Sequence, residues 1–143
     1  MATKIFKLPQ FIAEVILPKE YEATNVVVAG GRAPKASWLQ EVATDKKVYC
    51  ADKGVEICLE ADVIPLELYG DGDSAPKELY EKAKDLGVVV KSYPAEKDDT
   101  DLQLLLEILP NGNVICTGVW GGRFDHLYSN VFSLLAHKEK NQG

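Results

Sequence analysis

The sequence lacks both of the common glycine-rich nucleotide signatures. It has no Gly-x-x-x-x-Gly-Lys-Ser/Thr and no Gly-x-Gly-x-x-Gly, which argues against P-loop and dinucleotide enzymes. No Ser/His/Asp set with a recognisable nucleophile turn is present either. Positive charge is also scarce: 16 Lys and Arg face 22 Asp and Glu, giving a net charge of −6. We therefore expect no nucleic-acid partner bound through bulk charge.

Cysteines and long apolar runs are few. The three cysteines, Cys50, Cys58 and Cys116, have no paired spacing, and each lies in an apolar run. They are typical of reduced core residues in an intracellular protein. The apolar segment 11–17 is too short and too interrupted to span a bilayer,. No signal-peptide pattern opens the chain,. We expect a cytoplasmic protein without a membrane partner.

From residue 25 onward, short β-branched runs alternate with helical patterns. This alternation predicts parallel strands covered on both faces. The fold class is α/β, a Rossmann-like three-layer sandwich with a mainly parallel sheet of about five or six strands. Length and 46% apolar content favour one domain over residues 1–143,. Residues 1–24 have no clear assignment, and 11–17 fit an edge strand or a helix. The predicted strands are 26–29, 48–51, 66–69, 88–90 and 114–117. Three predicted helices begin at Pro34, after 52–54 and at Pro76, and the third of them stops at Gly87. Two more predicted helices cover 100–109 and about 124–136.

The unusual polar residues follow the predicted strands. They lie in the segments 30–32, 70–74, 97–101 and 121–125 and at Asp52. In an open parallel sheet, ligands bind beyond the carboxyl ends of the strands. These segments are far apart in sequence, but the predicted fold brings them to one edge.

The stretch YGDGDS at 69–74 holds two acids between glycines. Residues two apart in extended chain point the same way, so Asp71 and Asp73 can address one cation. Two close carboxylates repel each other without a counter-cation. Mg²⁺ takes oxygen ligands and is often shared with substrate phosphates. An Asx-turn with an N-cap before Pro76 explains the same residues, and both interpretations stay open.

The segment 94–101 packs four acids around one lysine and one threonine ahead of a helix. The helix macrodipole accounts for one or two of these acids as caps. It does not account for all four or for Lys97. We therefore favour Asp101 as a metal ligand and Lys97 as a phosphate contact.

Glycines and an arginine precede the last predicted helix, at 118–123. Exposed backbone amides at Gly121 and Gly122 and the guanidinium of Arg123 are suited to an anion. The motif is weak alone because glycine-rich turns are common. His126, His137 and Trp120 are more typical of surface or packing positions.

Together, four ordered motifs resemble those of thiamine pyrophosphokinases over about residues 25–136. They are AD-x-G at 51–54, GDGDS at 70–74, EKDDTD at 96–101 and GGRFDH at 121–126,. The resemblance implies the N-terminal catalytic domain of that family. It also implies transfer of the pyrophosphoryl group of ATP to the hydroxyl of thiamine, with Mg²⁺ as cofactor, in a cytoplasmic homodimer.

The resemblance also implies roles for individual residues. Its Mg²⁺ ligands fall on Asp52, Asp71, Asp73 and Asp101. Its catalytic positions fall on Asp71, Asp73, Asp101, Arg123 and Asp125. Its ATP and phosphate contacts fall on Gly30, Gly31, Arg32, Lys97, Asp98, Thr100, Gly121, Gly122 and Arg123. Its acceptor contacts fall on Asp71, Ser74 and Asp125, and either Asp71 or Asp125 is a candidate for orienting or deprotonating the hydroxyl.

Two features depart from the family. Lys53 replaces the first glycine of the usual Ala-Asp-Gly-Gly. If that position needs a positive φ, lysine is strained; if not, it adds a cation near the phosphates. The family also has a C-terminal β-sandwich domain that completes the thiamine pocket. After residue 137 too little chain remains to build it, so either the sequence is one domain of a longer protein or its acceptor site is incomplete.

Other functions stay open. One is a pyrophosphokinase with another acceptor, such as a hydroxymethylpterin. Another is a nucleotide-binding or oligomerisation module without catalysis. A phosphatase of the haloacid dehalogenase type also carries Asp-x-Asp after a strand, but its nucleophile follows the first strand, which here ends in Gly30 and Gly31.

Overall fold

A computed structural model describes residues 2–9, 11–17, 23–70, 77–92, 105–107, 109–110 and 112–119. Within these residues the chain forms two sheets and three complete helices. The strands are β1 (Ala2–Leu8), β2 (Phe11–Leu17), β3 (Thr24–Val28), β4 (Lys47–Ala51), β5 (Glu67–Gly70), β6 (Val89–Ser92) and β7 (Asn113–Thr117). The helices are α1 (Ala36–Ala43), α2 (Gly54–Glu60) and α3 (Lys77–Asp85).

The main sheet has five parallel strands in the order β6-β5-β4-β3-β7. The chain moves outward from β3 to β6 and then returns to β7 on the other side of β3. This reversal creates a topological switch point between β3 and β7, where such sheets open a crevice at their carboxyl edge. The predicted α/β class with a parallel sheet of five or six strands is confirmed.

The main sheet forms because its strands are continuous apolar runs that can be buried on both faces. Val26 and Val28 pack into one cluster with residues of α1, α2 and α3. Val27 and Ala29, which point the other way, pack with Leu105 and Leu106. Each fully buried valine contributes about 1.5–3 kcal/mol relative to exposure. The sheet is therefore the middle layer of three, as predicted.

Helix α1 has one buried apolar face and begins later than predicted. Leu39 and Val42 of α1 are buried on one face. The helix begins at Ala36 and not at Pro34, because Lys35 is still extended (ψ 139°) and supplies the carbonyl that accepts the N–H of Leu39 at 3.1 Å. Of the predicted helix over 100–109, residues 105–107 are helical. The predicted start at Pro76 and the last helix over 124–136 lie outside the described residues.

The turns that end α2 and α3 share one hydrogen-bond pattern. Gly87 has φ +90° and donates its N–H to the Lys84 carbonyl (3.0 Å), and Val88 donates to Ala83 (3.0 Å). Asp62 (φ 55°) has the equivalent place after α2, with Val63 donating to Cys58 at 2.9 Å. Both are Schellman caps with a left-handed residue just past the helix. The predicted stop at Gly87 is confirmed.

The amino-terminal residues form a second, two-stranded antiparallel sheet. β2 pairs with β1 from Ala2↔Leu17 to Leu8↔Phe11. Residues 11–17 are therefore a strand, and the helical alternative is wrong. Leu8 packs against the first core cluster, whereas Ile5, Ile12 and Ile16 are 58–68% exposed. That all of residues 1–143 form a single domain stays a prediction.

Candidate functional site at the carboxyl edge of the sheet

The carboxyl ends of β3 and β7 are tied together at the switch point. Val28 is opposite Thr117 in the last register pair of these strands. Beyond it, the N–H of Ala29 donates to the Thr117 carbonyl at 2.9 Å, and the N–H of Gly31 donates to Gly118 at 2.6 Å. The two turns therefore continue the sheet's hydrogen bonding past its last strand residues. This bonding fixes the backbone at the switch point.

Glycines allow three turns at this edge to touch one another. A Cβ placed on Gly54 would lie 2.1 Å from the Val28 carbonyl oxygen, and one on Gly118 would lie 2.1 Å from that of Ala29. Gly118 also has φ +74°. No side chain fits at such distances from a backbone oxygen. The turns after β3, β4 and β7 consequently form one layer in which main chain meets main chain.

Asp52 is the one predicted metal ligand among the described residues. It follows β4 directly and has a left-handed backbone (φ 57°), which aspartate tolerates better than most residues do,. Its N–H donates to the Tyr69 carbonyl at 2.8 Å. This hydrogen bond holds the turn after β4 beside the end of β5, one residue before Gly70. The residue is half-buried, and its Oδ1 is shielded from solvent.

Lys53 has ordinary right-handed helical geometry. Its backbone angles are φ −64° and ψ −8°, and it is the residue that precedes α2. The positive φ of this turn falls on Asp52. Lysine is therefore unstrained at a position where the family usually has glycine, and the strained alternative raised by the sequence is wrong.

The turn after β3 holds the predicted phosphate contacts Gly30, Gly31 and Arg32. All three are exposed. The Gly31 amide is already engaged by the Gly118 carbonyl at 2.6 Å, so it is not a free donor for an anion. Arg32 remains as the cation of this turn. The structure thus brings Gly30, Gly31, Arg32 and Asp52 to one edge, as predicted.

The remaining predicted site residues lie outside the described residues, and their convergence stays a prediction. They are Asp71, Asp73, Ser74, Lys97, Asp98, Thr100, Asp101, Gly121, Gly122, Arg123 and Asp125. Within the part of the chain that the structure describes, no three His, Cys, Asp or Glu side chains come together as a metal site. The carboxylate of Asp52 fits a Mg²⁺ ligand because it is a hard oxygen donor held at the carboxyl edge. One carboxylate alone does not make the site.

A polar group that sequence reasoning missed lies on the outer strands of the sheet. Glu67 accepts a 2.6 Å hydrogen bond from the Tyr69 hydroxyl and pairs with Lys91 at 3.3 Å. The Lys91 ammonium also lies 5.6 Å from the centre of the Tyr69 ring. Burial and the charge of Glu67 raise the pKa of Tyr49. The alternation of Glu67 with Tyr69 was the available signal, but the pairing with Lys91 depends on strand register.

Two thiols lie beneath the carboxyl edge: Cys50 is buried and Cys116 is half-buried. Cys50 and Cys116 are the next-to-last residues of β4 and β7. Burial raises the pKa of Cys116 to about 12. Burial, followed by a hydrogen bond with Cys58, raises the pKa of Cys50.

Among the described residues, no helix is long and apolar enough to cross a membrane. These features define a class of protein: a parallel α/β protein with a glycine-lined carboxyl edge at its switch point, where such sheets bind ligands.

Comparison with known proteins identifies the family. The model of the family "Thiamin pyrophosphokinase, catalytic domain" matches residues 39–142, and the chain belongs to this family. A thiamine pyrophosphokinase of Bacillus subtilis (strain 168) is 36% identical over 83 residues, which are 56% of this chain and 39% of that protein. The region matched by the family model, residues 39–142, includes Asp52 and Lys53, while the turn at 30–32 precedes it.

Solved structures of relatives share the fold. The thiamine pyrophosphokinase of B. subtilis has a TM-score of 0.66 and 31% identity, and the match covers 82% of this chain and 57% of that chain. The enzyme from Geobacillus thermodenitrificans has a TM-score of 0.62 and 32% identity, and the match covers 81% and 56%. The chain therefore spans little more than half the length of these relatives.

Proposed function

We propose that this chain performs the catalytic part of thiamine pyrophosphorylation. The hydroxyl oxygen of thiamine would attack the β-phosphorus of ATP, the bond from that phosphorus to the α,β-bridging oxygen would break, and AMP would leave with that oxygen. The products are thiamine diphosphate and AMP. The observation that carries the proposal is the family match over residues 39–142. The proposal extends to a homodimer in the cytoplasm. Sedimentation of the natural protein would test whether it is a dimer.

The described edge supports this reaction through its backbone. Gly54 and Gly118 let the turns after β3, β4 and β7 pack main chain against main chain, which fixes the backbone of this edge,. Arg32 offers a cation on the same edge, with a planar guanidinium that suits phosphate oxygens. Transfers of this kind depend on positioning and charge neutralisation more than on covalent help from the protein.

Acidic residues complete the proposed site. Asp52, Asp71, Asp73 and Asp101 would hold Mg²⁺, whose charge would offset that of the triphosphate. Asp71 or Asp125 would orient the thiamine hydroxyl or accept its proton. Arg123 and Lys97 would add positive charge beside the phosphates.

Replacing Asp71 or Asp73 by Asn tests the proposal. Loss of one metal-binding carboxylate should lower kcat for thiamine-dependent AMP release by about 100-fold or more, with an unchanged far-UV circular dichroism spectrum. Asp62→Asn is the matched control because Asp62 is exposed at the opposite edge of the sheet. The assay uses protein expressed from the whole natural reading frame. Near-normal turnover in both variants would contradict the assignment.

Acceptor choice needs a separate measurement, because the chain spans only 57% of the B. subtilis structure. AMP release is measured with thiamine and with a hydroxymethylpterin as acceptors. AMP should be released with thiamine as the acceptor and not with the pterin. Activity with the pterin only would reassign the acceptor. ATP binding without AMP from any acceptor would indicate a nucleotide-binding module.

A further inference from the structure

Lys53 belongs to the turn after β4 and lies beside the turn after β3. It follows Asp52 at the end of β4, and a Cβ built on Gly30 at the end of β3 would meet the Lys53 Cβ at 2.8 Å. The stem of the lysine therefore leans from β4 toward β3. Since β3 adjoins β7, this is the direction of the switch point, where such sheets bind ligands,.

The structure of the turn does not require this side chain. The backbone of Lys53 is unstrained, and its side chain makes no cap hydrogen bond for α2. It is exposed. Among the residues that the structure describes, Lys91 and Glu67 form an ion pair. Lys53 forms no ion pair with any of these residues. A packing or capping role thus leaves the ammonium unexplained.

The neighbouring charges favour an anion of high charge. Arg32 is on the adjacent turn, and both cations are exposed. Among the described residues of these two turns, the negative charge is the carboxylate of Asp52. A lysine ammonium is a compact point charge on a flexible stem, which can follow phosphate oxygens without fixed geometry. Two cations on adjoining turns match a polyphosphate better than a single phosphate.

We propose that Lys53 is a polyphosphate-contacting residue, whose ammonium binds the phosphates of ATP beyond the α-phosphate. The inference rests on the proposed function, since it places the nucleotide at this edge. Gly30 has a matching role: it is the residue that leaves space for the lysine stem, because any side chain at position 30 would collide with the Lys53 Cβ.

Binding measurements with protein from the whole natural reading frame test the inference. ATP, AMP and inorganic tripolyphosphate are titrated calorimetrically in magnesium buffer. Lys53→Met should weaken ATP and tripolyphosphate by about 10- to 100-fold, as expected for loss of a charged contact. AMP affinity should change less than about twofold on the same scale. Lys53→Arg should recover most of the ATP affinity, and ATP binding by Lys53→Met should depend less on salt.

Lys47→Met is the matched control, because Lys47 is an exposed lysine at the opposite end of the same strand. It should bind all three ligands like the wild type. Equal weakening of ATP and AMP by Lys53→Met, or no weakening of either, would overturn the inference. A wild type that binds ATP but releases no AMP with thiamine refutes the proposed function and leaves the binding result to decide on Lys53. A wild type that binds neither ATP nor tripolyphosphate overturns both.

A second measurement tests the geometry without any ligand. Gly30→Ala is compared in the wild-type and Lys53→Gly backgrounds by thermal unfolding. The clash with the Lys53 Cβ should lower Tm by about 3 °C more in the wild-type background. Equal shifts in the two backgrounds would mean that the lysine stem does not cover Gly30, and the proposed direction of Lys53 would be wrong.

Discussion

The two edges of the main sheet use left-handed residues in different ways. At the amino edge, Asp45, Asp62 and Gly87 have positive φ in the three turns that lead from a helix to a strand. All three are exposed. Apart from the chain neighbours of Gly87, no heavy atom of the described residues lies within 4 Å of the place of a Cβ at this position. At the carboxyl edge, Asp52 is half-buried and Gly118 is buried.

This difference separates a local requirement from a tertiary one. The amino-edge residues reverse the chain after a helix, and neighbouring hydrogen bonds are enough to define them. The carboxyl-edge glycines also accommodate the backbone of the next turn, as Gly118 does with Ala29. Close backbone contact fixes the turns at this edge, and α/β proteins place their sites at this edge of the sheet.

Alanine at Gly54 should have the largest effect on stability. Its Cβ would lie 2.1 Å from the Val28 carbonyl oxygen, and no rotamer change relieves a clash between backbone atoms and Cβ. We expect the free energy of unfolding to fall by about 3 kcal/mol or more, above the usual range for overpacking. Chemical denaturation measures it.

Gly87→Ala is the comparison at the amino edge. The φ of +90° at this position strains an alanine, but no described atom is near enough to clash with its Cβ. We therefore expect the free energy of unfolding to fall by about 1 kcal/mol. The distinction between the two edges fails if both alanine variants lose the same amount.

The layered fold was predictable because burial on both faces leaves a direct trace in the sequence. A run such as Val26–Val28 is apolar at every position and rich in β-branched residues, which is typical of a strand covered on both faces. The order of helices and strands then restricts the topology to parallel crossovers. Gly87 was predictable for a similar local reason, since a helix stop with positive φ favours glycine.

The hairpin and the backbone contacts were not predictable. Segment 11–17 fits two structures locally, and its pairing with β1 decides between them. The contact of Gly30 with Lys53 joins residues 23 positions apart, so no short motif encodes it. The sequence showed that Lys53 was unusual but not which residue of the turn has positive φ. That assignment, Asp52, needed coordinates.

The Cys116 thiol under the carboxyl edge should make stability depend on alkaline pH. The folded-state pKa of Cys116 is raised to about 12 from 9.0. The unfolded thiol therefore ionises first, and the stabilisation present below pH 9 is lost as the pH rises toward 12. One such group steepens the fall by up to about 1.4 kcal/mol per pH unit. Denaturation under reducing conditions at pH 8 to 11 measures the slope.

Cys116→Ala should flatten that slope, while Val114→Ala should not. Val114 is on the same strand and packs against the same cluster as Cys116, but it does not titrate. We expect Val114→Ala to lower stability equally at every pH. A slope that is the same in the Cys116→Ala protein as in the wild type would mean that water reaches this thiol.

The smallest expected effect is at Asp62, and it tests whether the amino-edge turns are governed by local conformation alone. Asp62 has φ 55° and is exposed. Glycine removes the left-handed strain but gives the unfolded chain more freedom, so Asp62→Gly should gain only about 0.5 kcal/mol. Asp62→Ala should lose about as much, because alanine has the strain without aspartate's local hydrogen bonding. An alanine variant as stable as the glycine variant would show that residue 62 is not left-handed in solution.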